Sequence, residues 1–174
     1  MDLSPDEAMF SASVRAEQAR RGSRKAQERR VALGRFYDEL SAEVIDFIGE
    51  RNSAYFATAS TDGQPYVQHR GGPAGFLRVL DEHTIAFANY AGNHQYISIG
   101  NLAENDRAFL FLMDYAAARR LKLWGHARVV THDPALFARL GDPAPGARVE
   151  EAIVFTVVAW DWNCSQHIPK LVAP

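Results

Sequence analysis

A single cysteine, Cys164, occurs in the 174 residues. One thiol forms no internal disulfide and excludes a four-thiolate zinc site. Long apolar runs are also missing, and nothing approaches the roughly 20 residues needed to span a bilayer. The opening MDLSPDEAMF is acidic and lacks a basic-then-apolar signal region, so a cytoplasmic protein with no membrane segment is expected. No excess of one charge appears either. The 19 Lys and Arg stand against 21 Asp and Glu, a formal net of -2, which does not suit a dedicated nucleic-acid binder. Internal repeats, low-complexity tracts and the alternating strand–helix pattern of a parallel nucleotide-binding sheet are absent. So are GxSxG, HExxH and CxxCH, and with them any support for hydrolase chemistry or haem attachment.

What is present suits one domain with a real core: 47% hydrophobic and 23% charged residues. The charge is uneven. Residues 1–35 carry eight basic and five acidic side chains, whereas the rest carry a net of -5. Ser4, Pro5 and Glu7 form a helix-start signature, and the stretch that follows is rich in Ala, Arg, Glu and Gln up to Gly22 and Ser23. Residues 1–38 therefore read as an N-terminal helical extension, solvated and lying across a partner subunit, and residues 39–174 as the main domain. The interleaving of acids with bases makes a nucleic-acid arm the poorer reading.

Ser41 caps a second expected helix over residues 41–51, with Val44, Ile45, Phe47 and Ile48 at helical spacing. Short β-branched and aromatic runs follow: SAYFATAST, PYVQHRG, GFLRVL, HTIAFANY, RAFLFLMDY, RRLKLWGHARVV and EAIVFTVVAW. TDGQ and LDEH between them read as hairpin turns. NHQYISIGNLAEN reads as a helix beginning near Asn93, DPALFARLGD as a small helix capped by Asp133, and PAPG at 143–146 as a connecting loop. Six or seven locally connected strands with inserted helices predict a mainly β (α+β) barrel or sandwich.

Four segments could carry chemistry. In PYVQHRGGP, Gln68, His69 and Arg70 run into two glycines, which allow close approach of a flat ligand, and Arg70 offers a planar fork for phosphate. In ANYAGNHQYISIGN, a strand gives way to a helix start, where backbone N–H groups favour phosphate, with Asn93, His94 and Gln95 beside them. In RRLKLWGHARVV, alternation puts Arg120, Lys122, Trp124 and His126 on one face and Leu121, Leu123 and Gly125 on the other. Cys164 and His167 have the spacing of half a zinc site, with no second pair, so no metal is expected. Each segment also has an ordinary reading: a hairpin, a helix cap, a solvated face and a free thiol.

Together, SAYFATASTDGQPYVQHRGGPAGFL, HTIAFANYAGNHQYISIGNLAENDRAFLFLM and LWGHARVV resemble the pyridoxamine 5′-phosphate oxidase-like, FMN-binding split-barrel family over residues 40–130. WNCSQHIPK is similar to an ending in one subgroup. The resemblance implies a six-stranded antiparallel split β-barrel with flanking helices, working as a homodimer with two FMN sites at the subunit interface. It places Gln68, His69, Arg70 and Gly71 at the flavin, Ala88, Asn89, Asn93 and His94 near the ribityl phosphate, and Arg120 in the neighbouring subunit's site. The catalytic residue is left unknown.

The sequence departs from the oxidase where that enzyme carries an Arg-Lys pair, which here is Asn93 and His94. One amide and one titratable ring in place of two cations should weaken phosphate affinity and make it pH-dependent. The oxidase's C-terminal Arg-Leu-x-Pro is not matched, which puts pyridoxamine phosphate as substrate in doubt. The expected activity is that of an FMN-dependent oxidoreductase acting on a small molecule. The alternative is a non-catalytic split barrel that binds flavin or haem for storage, sensing or degradation.

Overall fold

The computed structural model describes residues 4–33, 37–141, 149–162, 166–169 and 171. Cys164 and the 143–146 loop lie outside the described residues. The chain opens with three short helices: α1 (Pro5–Met9), α2 (Ala12–Arg20) and α3 (Arg24–Ala32). Ser4 and Glu7 form the expected reciprocal capping box. An additional break falls at Phe10, because Ser11 caps a new helix at Val14 N–H. α2 and α3 bury no residue, while α1 packs on β6 (Arg119–Val130) and β7 (Val149–Trp162) of its own chain. Arg30 on α3 reaches Asp161 on β7 at 3.2 Å, and Asp161 also holds Lys122 at 3.0 Å.

α4 (Ala42–Gly49) starts at Ser41 as expected and buries Val44, Phe47 and Ile48. Then come β1 (Ser53–Ala59), β2 (Pro65–Gly71), β3 (Arg78–Asp81), β4 (Thr84–Tyr90), α5 (Ile97–Glu104) and β5 (Arg107–Asp114); α6 (Pro134–Leu140), capped by Asp133, separates β6 from β7. The seven strands form one antiparallel sheet in the order β2-β1-β5-β6-β7-β4-β3. The count lies within the six or seven read from the runs and is one more than the six the family resemblance implies; among the described residues the four-residue edge strand β3 pairs with β4 alone.

Alternation sets the inside of the barrel. Ala54 and Phe56 on β1, Ile85 and Phe87 on β4, Leu110 and Leu112 on β5, Leu121 and Leu123 on β6, and Ile153 and Phe155 on β7 join one buried cluster. A second cluster lies outside, where α6 covers Ala86, Ala152 and Val154. Among the described residues, no ladder joins β2 to β3 or β4, so the barrel is split there. No described helix is long and apolar enough to cross a membrane.

Candidate functional site

The split holds a cleft, open to solvent and with about 50 Å³ of enclosed space, lined from β2, β4, the 91–96 loop, α5 and β7. β2 alternates, so Tyr66, Gln68 and Arg70 turn inward beside the buried β1 residues, while Val67 and His69 turn outward. The inward set and Asn89 line the cleft together with Asn93, His94 and Gln95. The structure thus brings together Gln68, Arg70, Asn89, Asn93 and His94 from the residues singled out in the sequence.

The other four lie elsewhere in the chain. His69 packs edge-on against Tyr55 on the outer face, at 5.8 Å between ring centroids. A Cβ on Gly71 would stand 3.0 Å from the His69 ring, outside the cleft lining. Ala88 packs against the α6 cluster, because its neighbour Asn89 takes the inward position. Arg120 stands on the outer side of β6, between the buried Ala118 and Leu121.

Arg70 is the fixed cation of the site. Its Nη1 donates to Asn89 Oδ1 at 2.7 Å, and its guanidinium lies 5.9 Å from the centroid of the Phe56 ring. Its Nε–H is buried and has no hydrogen-bond partner among the described residues. Burial pushes the Arg70 guanidinium below its ordinary value, which marks it as a group poorly compensated by the protein alone. Opposite it, Ser98 Oγ donates to Gln68 Oε1 at 3.1 Å, which leaves the Gln68 amide N–H₂ as a donor.

The loop between β4 and α5 corrects the expected helix start. Asn93 does not cap the helix. Its Oδ1 accepts from Gln95 N–H at 3.1 Å, a local turn, and the helix begins four residues later at Ile97. His94 and Tyr96 both adopt left-handed backbone conformations, with φ of 58° and 52°, and His94 Nδ1 meets the Tyr96 hydroxyl at 2.9 Å. Two non-glycine residues in that region store strain that the surrounding fold must hold. Among the described residues no side chain caps α5, and its first-turn residues Ile97, Ser98 and Ile99 line the cleft.

Two glutamates escaped the sequence reading. Asn89 pairs with Glu151 but Tyr90 pairs with Val149, so the register slips and Glu150 is the extra residue of a bulge. A bulge re-aims side chains. Glu150 consequently lines the cleft, while Glu151 Oε2 accepts from Asn89 Nδ2 at 3.1 Å. Among the described residues, no group of three or more His, Cys, Asp or Glu comes together as a metal site.

A family model of pyridoxamine 5′-phosphate oxidase matches residues 40–161. No curated protein matches the chain. Among solved structures, HupZ from Group A Streptococcus is 17% identical, with a TM-score of 0.56 over 76% of this chain and 98% of HupZ. A candidate pyridoxamine 5′-phosphate oxidase from Lactobacillus delbrueckii is 18% identical, with a TM-score of 0.54 over 71% of this chain and 94% of its own. An FMN-binding protein from Syntrophomonas wolfei is 14% identical, with a TM-score of 0.52 over 70% and 87%. At these identities the likeness is one of fold, and the family match over residues 40–161 carries the assignment. The chain belongs to the pyridoxamine 5′-phosphate oxidase-like family.

Proposed function

We propose that the protein is an FMN-binding oxidoreductase acting on a small molecule, with the flavin's phosphate in the cleft at the split of the barrel. The observation that carries this reading is that Arg70, whose buried Nε–H has no partner among the described residues, lines one cleft with the uncapped first turn of α5. A phosphate suits such a donor set: a fixed guanidinium, free helix N–H groups and side-chain amides. Arg70, the start of α5 and His94 would hold the phosphate. Gln68 would donate to the polar part of the ligand, and Tyr66, Tyr90 and Tyr96 would exclude water. A flavin bound there supplies hydride and single-electron transfer, so the protein needs only to bind, orient and shield it. The FMN-binding relative from Syntrophomonas wolfei is consistent with this cofactor.

A homodimer belongs to the same reading. The outer face of β2, β1 and β5 carries Tyr55, Ala57, Val67, Phe109, Phe111 and Tyr115 around an apolar depression, with Val67 58% exposed. A second copy seated there would bury it, and would bring His69 and Arg120, on the same outer side of the sheet, toward the partner. A cytoplasmic setting and a small-molecule substrate complete the proposal, with no role for nucleic acid or membrane.

The test is an absorption spectrum of the purified protein, repeated after adding FMN and desalting. Flavin bands that persist in the wild type and vanish in Arg70→Ala support the site. A colourless protein that never retains FMN overturns the reading, and a haem-like band moves the binding-protein alternative ahead. Turnover of NADH or NADPH above that of free flavin separates an enzyme from a carrier.

A further inference from the structure

Asn89 is 6% exposed, and both ends of its amide are engaged. Oδ1 accepts from the Arg70 guanidinium at 2.7 Å and Nδ2 donates to the Glu151 carboxylate at 3.1 Å. This arrangement has one stable orientation. Turning the amide over would set its N–H₂ against a cation and its oxygen against an anion. Glu151 reaches the amide because it pairs directly with Asn89 across β4 and β7, beside the bulge that takes up Glu150. The chain Glu151–Asn89–Arg70 therefore crosses from β7 through β4 to β2, on the far side of the split.

Such a chain leaves Asn89 little surface for a ligand but fixes where Arg70 stands. With Nη1 committed to the amide, the guanidinium is restrained beside the cleft that Arg70 lines, and its buried Nε–H has no partner among the described residues. A preorganised donor recognises a phosphate without first losing side-chain entropy. We propose that Asn89 is a positioning residue: clamped by Glu151, it holds Arg70 as the receptor for one phosphomonoester group. The proposal rests on the FMN-binding reading for the identity of the ligand, though not for the geometry.

Binding of FMN and of riboflavin, which lacks the phosphate, is measured by flavin fluorescence on the full chain. N89L is expected to weaken FMN roughly ten- to a hundredfold while changing riboflavin less than threefold. E151L, at a half-buried position, is expected to fold and to weaken FMN roughly three- to tenfold. E151Q keeps an acceptor for the Asn89 amide and is expected to stay within about threefold of the wild type. A general loss of structure would weaken both flavins together and would not be rescued by glutamine. Equal losses for FMN and riboflavin, or unchanged FMN binding in N89L and E151L, overturn the proposal. A second measurement needs no ligand: the Arg70 Nε–H signal, assigned with R70K, is followed in ¹⁵N spectra. It is expected to be protected from exchange in the wild type and E151Q and lost in N89L and E151L. Protection that survives in both leucine variants overturns the positioning role whether or not flavin binds. A wild type that shows the protected signal but no FMN affinity sinks only the FMN reading.

Discussion

Gly125 lies so close to Thr156 that a Cβ on it would stand 2.1 Å from the Thr156 carbonyl oxygen. The contact sits at a bulge, where Trp124 pairs with Ala159 but Gly125 with Val157. The same Cβ would stand 2.7 Å from Phe155 Cζ, in the core. Backbone cannot yield as a flexible side chain does. Gly125→Ala is expected to cost about 3 kcal/mol, read from the midpoint of a urea transition. A variant as stable as the wild type would show that β6 and β7 separate there at little cost.

Glu150 is a carboxylate in the wall of a cleft read as an anion site. Replacing it with glutamine removes a like charge and keeps the shape. Glu150→Gln is expected to tighten FMN roughly two- to fivefold, with a smaller gain at high salt. An FMN titration at two ionic strengths checks both parts, and weaker binding would make Glu150 a ligand-contacting acceptor instead.

The apolar outer face gives a test of self-association. Phe111→Asp would bury an unpaired carboxylate in any dimer built on that face. It is expected to raise the dimer dissociation constant by about a hundredfold or more, read by light scattering across a dilution series. An unchanged dimer would move the interface elsewhere on the molecule.

Asp114 ties the end of β5 to Arg51, two residues past the end of α4. The Ala117 N–H, at 2.9 Å, and the Arg51 guanidinium beside it hold its carboxyl below the usual carboxylate range. A depressed folded-state pKa adds stability above the unfolded-state value of about 4, and that stability is lost as pH falls through the folded value. Asp114→Asn is expected to cost about 0.5–1 kcal/mol at pH 7, with the gap to the wild type closing at pH 3. Denaturant unfolding at the two pH values checks the sign, and a gap unchanged at pH 3 would remove Asp114 from the acid response.

Local chemistry was readable from the sequence. Ser4, Ser41 and Asp133 cap the helices expected of them because a cap depends only on the next three residues. The hairpins at TDGQ and LDEH and the alternation of β6 emerge for the same reason. Asn93 misled because an asparagine that turns the chain locally looks the same in sequence as one that caps a helix. The left-handed His94 and Tyr96 that delay α5 carry no residue-type signal. Glu150 and Glu151 stayed hidden because a register slip is a property of two strands, and only one of them contains the glutamates. Nothing in the residues alone says that Arg70 meets Asn89 across the split; the family resemblance grouped them.

The split itself bears on which ligands the barrel accepts. Elsewhere the strands are locked at the fixed spacing of a hydrogen-bonded ladder, but β2 and β4 meet through side chains such as Arg70 and Asn89. The gap can therefore widen or narrow by changing a few side chains, with no ladder bond broken. Guests of different girth become accessible to one strand order by small steps. A guest that bridges the gap acts as the missing rung, so its departure should loosen β2 first, and protection of that edge from hydrogen exchange should track occupancy.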